Sequence, residues 1–305
     1  MKALAMRRET WWSAWVVAAV LVLMVAKPML YGVAIPLSGL LVALIPGALP
    51  PRSSLERRTD RLDLLVVAGL FVGVVALFRM AFVYFTVTSV VGLFLCFGAG
   101  LILGVAGPIG YTVWIRHRSL RTIGLRLDNW RQTAALGLVF ATVQFLVTLA
   151  GFDLPAPVDW VPLLVMSVTV GLFEAIFFRG FVLSRLEASF GPVLGVGGAA
   201  LLYGLYHVGY GMQTAEMVFL FGLGVVYTVA YRIVGNILVV WPLLTPMGAF
   251  FANLTAGDIK LPWASIAGFG DVLVLMAVAV IIAFRRERKL RVTATGKTTQ
   301  TLVGR

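Results

Sequence analysis

The sequence predicts an all-α, polytopic transmembrane helix bundle of about ten spans, with both termini in the cytoplasm. Three observations carry that expectation. The 305 residues are 60% hydrophobic and only 12% charged, about half the roughly 25% charged share of an ordinary soluble chain. Apolar runs near 20 residues long recur along almost the whole length, each long enough to cross a bilayer as a helix. With the N-terminus placed in the cytoplasm, all 25 Lys and Arg except Lys27, Arg79 and Lys260 fall in cytoplasmic segments, Arg179 being counted on that side. That alternation follows the positive-inside rule and supports both the span count and the orientation. Backbone groups in lipid must be satisfied internally, so helices carry the spans. The short alternating segments of a β-barrel do not fit these continuous runs.

The spans fall at about 11–26, 28–49, 64–85, 88–112, 132–151, 160–184, 192–210, 215–231, 235–253 and 264–284. The first could serve as a signal-peptide core, but no small-x-small cleavage site follows, so it reads as an uncleaved span. The lone cysteine, Cys96, lies mid-span, which excludes a disulfide framework. A net charge of +12 would point to nucleic acid in a soluble chain. Here it sits in short loops and reads as topology, and no Gly-rich phosphate loop is present. No nucleic-acid partner is expected.

Residues 116–132, RHRSLRTIGLRLDNWRQ, are basic with spaced Leu, Ile and Trp. They read either as an amphipathic helix lying on anionic lipid at the cytoplasmic face or as an ordinary positive loop. The tail from Arg291 is polar and reads as disordered. The expected organisation is therefore 1–131, N-terminal spans and the basic interfacial segment; 132–255, an intramembrane core; and 256–305, the last span and a basic tail.

Ionisable residues within the spans are scarce. Glu174 and Arg179 share the sixth, in GLFEAIFFRG, and His207 lies on the seventh, in LLYGLYHVGYG. A charge at the bilayer centre costs about 2.5–3.5 kcal/mol even on insertion scales, and such residues mark function by default. A hairpin is predicted at Ser189–Phe190–Gly191–Pro192, because Gly then Pro breaks a helix. Glu174 precedes Phe190 by 16 residues and His207 follows it by 17, so both climb roughly 24–26 Å from the turn. With Arg185 and Glu187 at headgroup level, Glu174 sits near the midplane. Taken singly, a Glu–Arg pair also reads as a structural ion pair and a histidine as a satisfied core residue. At matched depth on adjacent antiparallel spans, a carboxylate and an imidazole can polarise a water, with glutamate as general base.

These residues resemble the CPBP intramembrane proteases, a group that includes type II CAAX prenyl endopeptidases and bacterial abortive-infection or bacteriocin-immunity proteins. The first motif of that family, two glutamates, three residues, then Arg-Gly, is matched by Glu174-Ala175-Ile176-Phe177-Phe178-Arg179-Gly180. The second, an aromatic residue, three residues, then histidine, is matched by Tyr203-Gly204-Leu205-Tyr206-His207. The run Tyr231–Leu244 is similar to the approach to the third motif, and the resemblance covers about 160–255. The chain departs from the pattern twice. The second glutamate is Ala175. The third motif, histidine with asparagine four residues on, is absent: aligned on Pro242 its positions are Pro246 and Phe250, and aligned on Asn253 the histidine position is Ala249.

The resemblance implies peptide-bond hydrolysis of a membrane-embedded peptide or protein, with Glu174 activating water and His207 orienting it or stabilising the oxyanion. Arg179 positions Glu174 or is structural, and Asn253 helps hold the oxyanion. No cofactor is expected. A divalent metal at Glu174 and His207 would have two protein ligands where zinc sites use at least three. Two other readings stand beside it: a membrane scaffold or immunity protein that keeps the fold without catalysis, and a transporter, which should show more polar or broken spans in paired halves. The short loops suit a bacterial inner membrane.

Overall fold

The computed structural model of the chain describes residues 11–19, 28–43, 59–86, 89–149, 156–241 and 261–303. Ten helices are used below: α1 (11–19), α2 (Pro28–Ala43), α3 (Arg61–Tyr84), α4 (Val90–Ile115), α5 (Trp130–Leu149), α6 (Trp160–Phe190), α7 (Pro192–Tyr210), α8 (Thr214–Val234), α9 (Ile237–Val240) and α10 (Ala264–Val303). No strand occurs among the described residues. Among the described residues six helices, α3, α4, α6, α7, α8 and the Ala264–Lys289 part of α10, are long and apolar enough to cross a membrane. The chain is a multi-pass membrane protein. The six correspond to six of the ten expected spans. The expected 235–253 span begins with α9, and its remainder lies outside the described residues.

Local chemistry sets the helix ends. The Asp60 carboxylate accepts from the Leu62 and Asp63 amides at the start of α3 (3.0 and 3.4 Å), and the Ser89 hydroxyl accepts from the Gly92 amide at the start of α4 (3.0 Å). Gln213 and Glu216 form a capping box on α8. The predicted hairpin is present: α6 ends at Phe190, Gly191 adopts φ +86°, and Pro192 opens α7. The positive φ suits glycine, and a missing amide at a helix start leaves nothing unsatisfied.

α6 is the central helix. Over its most apolar stretch 67% of residues are buried, against 22% for α3 and for α10. It packs on α7 through the hairpin and on α10 through its first half, while α8 packs on α2 and α7. Its phenylalanines, Phe173, Phe177, Phe178 and Phe181, are almost fully enclosed together with Tyr206 and Tyr231.

Three expectations are qualified here. The basic 116–132 segment does not form an amphipathic helix. It makes one short 3-10 turn, Leu120–Ile123, ended by Gly124 at φ +76°. Leu120, Ile123 and Leu125 are fully buried in protein instead of facing lipid. The backbone is tied down on two sides, by Ile237 N–H to the Gly124 carbonyl (3.0 Å) and by Leu120 N–H to Glu287 (3.1 Å). Arg185 and Glu187, expected at headgroup level, are enclosed by protein. Arg185 is buried, with Thr112 Oγ1 at 3.1 Å and the Asp63 carboxylate at 3.7 Å, and Glu187 pairs with Arg232 at 2.6 Å. Their partners lie on distant spans, which local sequence does not reveal. Finally, residues 291–303, expected to be disordered, continue α10. A helix already nucleated in a span extends cheaply, because the unfavourable step is the first turn.

Gly180 follows Arg179 where α6 meets the basic segment. A Cβ there would stand 2.5 Å from the Ile123 carbonyl oxygen and 2.8 Å from Ile237 Cδ1. Backbone cannot swing aside like a side-chain tip, so Gly180→Ala is expected to destabilise by about 1–3 kcal/mol. A lowered unfolding midpoint of the purified variant in detergent checks this; an unchanged midpoint would show that the segment yields.

Candidate functional site

The site is built on α6 and α7. The α-helical part of α6 ends at Glu174, and Ala175–Val182 is wound as a π-helix. In an α-helix, residues five apart diverge by about 140°. In a π-helix the hydrogen bonds run between residues five apart, so Arg179 comes round to the face of Glu174. The offset expected from α geometry is thereby reduced.

Glu174 is 3% exposed. Its Oε1 accepts a hydrogen bond from the Tyr206 hydroxyl, and its Oε2 has no partner among the described residues. Arg179 is 1% exposed. Its guanidinium carbon lies 3.9 Å from the centre of the Tyr203 ring and 5.4 Å from that of Tyr227. Cation–π contacts of this kind are worth about 2 kcal/mol when desolvated. The aromatic faces replace the carboxylate that Ala175 does not supply. The guanidinium nitrogens make no hydrogen bond of ordinary geometry among the described residues, and the Tyr203 hydroxyl and the Glu174 carboxylate are the groups that act on them.

His207 opens the 3-10 turn that ends α7. Its Nδ1 is 2.9 Å from the Tyr203 carbonyl oxygen. A carbonyl only accepts, so Nδ1 carries the proton and, in the neutral ring, Nε2 holds the lone pair. The rings of Tyr206 and His207 are 4.1 Å apart between centres. Tyr206 thus touches both predicted residues, its hydroxyl on Glu174 and its ring on His207. The expected pairing of Glu174 with His207 is represented in the structure by their shared neighbour, Tyr206.

Sequence reasoning assigned no role to Tyr206. The signal was available: Tyr203, Tyr206 and Tyr210 are spaced i, i+3, i+7, which places all three on one helical face beside His207. Asn253 and the third-motif positions Pro246, Ala249 and Phe250 lie outside the described residues. His117 is in the exposed part of the basic segment.

The donor set does not suit a metal. Among the described residues no three of His, Cys, Asp and Glu converge. Glu174 Oε2 and His207 Nε2 make two donors, and a buried guanidinium shares their site, so a dication would lack ligands and meet repulsion.

Residues 156–253 match one family model, described as type II CAAX prenyl endopeptidase Rce1-like. That segment is similar to the Rce1-like family. It takes in α6 to α9 and therefore Glu174, Arg179, Tyr206 and His207. The extent agrees with the resemblance drawn from the two motifs, and the CPBP assignment holds for this segment. The family is one of membrane proteases. No curated protein and no solved structure matches the chain.

Proposed function

We propose that this protein is an intramembrane endopeptidase that hydrolyses a peptide bond of a membrane-embedded substrate with water activated by Glu174. The observation that carries the reading is the Glu174–Tyr206–His207 contact within the Rce1-like segment. Tyr206 holds one carboxylate oxygen and leaves the other as the base. His207 Nε2 accepts a hydrogen from the water and orients it. Water loses a proton to Glu174 Oε2 as its oxygen attacks the carbonyl carbon, and the carbonyl electrons move onto oxygen. With its proton on Nδ1, neutral His207 has no N–H to give that oxyanion. Arg179 has donors to give, and Asn253 is the further candidate. On collapse the C–N bond breaks and the proton on Glu174 passes to the departing amine.

Placement in a bacterial inner membrane, with both termini cytoplasmic, accords with the short loops and the arginine bias. The missing third-motif histidine favours the second reading, a scaffold or immunity protein that keeps the fold without turnover. N-terminal proteomics on native membranes separates the two, comparing wild type, Glu174→Gln and His207→Ala at matched expression. Proteolysis predicts a set of neo-N-termini lost in both variants, and that set names the substrates. If neither variant changes any terminus while deletion has a phenotype, the scaffold reading replaces it.

A further inference from the structure

We propose that a pocket between the basic segment and the last span binds the headgroup of an anionic, hydroxyl-bearing glycerophospholipid. The pocket has a volume of about 210 Å³. One wall is Arg121 with Arg126, Leu127 and Asp128. The other is one face of α10, where Phe284, Glu287 and Arg288 stand at i, i+3 and i+4. The apolar span of α10 runs to Lys289, so the pocket lies at the membrane–water boundary, on the side to which the arginine bias assigns the cytoplasm.

Its chemistry is mixed in a way that selects a ligand. Three arginines, Arg121, Arg126 and Arg288, face two carboxylates, Asp128 and Glu287. Asp128 is held by Arg121 at 2.5 Å, while Arg126 approaches it only to 3.9 Å, beyond hydrogen-bonding distance. Glu287 is held by the Ser119 hydroxyl at 2.7 Å and the Leu120 amide at 3.1 Å. Arg126 and Arg288 are thus the cations best placed to bind a phosphate oxygen, in the geometry guanidinium favours. The balance is one net positive charge, which matches a phosphodiester monoanion. The two carboxylates can accept from headgroup hydroxyls. Leu127 and Phe284 give the pocket an apolar side, and the exposed Ile281 and Ile282 on α10 continue toward lipid. A free phosphate would make no use of that apolar path, whereas acyl chains would lie along it. The inference is independent of whether the Glu174 site hydrolyses anything.

The test uses the full chain reconstituted in phosphatidylcholine nanodiscs doped with phosphatidylglycerol. Native mass spectrometry counts the phosphatidylglycerol retained on release. Arg126→Ala/Arg288→Ala is expected to weaken retention by roughly 5-fold per arginine, the equivalent of about 1 kcal/mol for each basic side chain at an anionic surface. Arg61→Ala/Arg131→Ala removes the same charge outside the pocket and is expected to retain lipid as wild type does. Asp128→Asn frees Arg121 and is expected to strengthen retention, a direction that misfolding cannot produce. Equal loss in both double variants would overturn the proposal in favour of diffuse surface attraction. Displacement of the lipid by inorganic phosphate alone would overturn it in favour of a simple anion site.

Discussion

Glu174→Gln is expected to abolish turnover while leaving the protein folded. Glutamine keeps the shape of the side chain and can still accept from the Tyr206 hydroxyl through its amide oxygen. It cannot take a proton from water. Loss of a positioned general base reduces rate by about 10²–10⁴-fold, so cleavage of a peptide taken from the neo-N-terminus set should fall by that factor in proteoliposomes. Because the substitution also takes a negative charge from beside the buried Arg179, the unfolding midpoint should fall somewhat while the folded state persists. Tyr206→Phe makes the complementary test. It removes the hydrogen bond that fixes Glu174 but keeps the ring against His207, so its rate loss should be smaller. In the double variant the Tyr206 effect should vanish, because a base that is absent needs no orientation. If Tyr206→Phe costs as much again on top of Glu174→Gln, Tyr206 acts on something other than Glu174.

Asp63→Ala is expected to be the most destabilising single substitution outside the site. The Asp63 carboxylate is 3% exposed. It accepts from the Tyr111 hydroxyl at 2.5 Å and from Arg118 at 2.7 Å, with Arg116 at 3.2 Å and the buried Arg185 at 3.7 Å. Alanine leaves Arg185 enclosed without its counter-charge. Breaking a buried pair by removing one partner costs about 3–5 kcal/mol, whereas replacing both partners by apolar groups is often neutral. The unfolding midpoint in detergent should therefore drop sharply for Asp63→Ala and recover in part when Arg185→Met is added. No recovery would mean that Arg116 and Arg118, not Arg185, depend on Asp63. Because Arg185 lies six residues beyond Arg179 on α6, this cluster also fixes the end of the helix that carries the site.

Glu174 and His207 were legible because each is costly in an apolar run, and elementary helix rise set them at equal distances from the Gly191–Pro192 turn. The hairpin was legible because glycine and proline act through local backbone sterics. Arg179 was legible as a charge but not as a neighbour of Glu174. Its placement depends on the π-winding of Ala175–Val182, a choice of hydrogen-bond partner that composition does not encode. The 116–132 segment misled for a related reason. Leu120 and Ile123 are spaced for a helical face, but Gly124 ends the turn and tertiary contacts bury the apolar residues inward.

The sequence by itself determined that this is a helical membrane protein, that the stretch at about 160–255 resembles the CPBP proteases, and that the second glutamate and the third-motif histidine are missing. Those follow from composition, periodicity and the identity of single residues. Only the tertiary structure decided what replaces the lost partner of Arg179, the faces of Tyr203 and Tyr227. It alone showed that Tyr206 links Glu174 to His207, and that Arg185 answers to Asp63, 122 positions away. The physical reason is the same in each case. A buried charge or donor must be matched in space, and a chain packed as helices supplies that match from segments far apart along it.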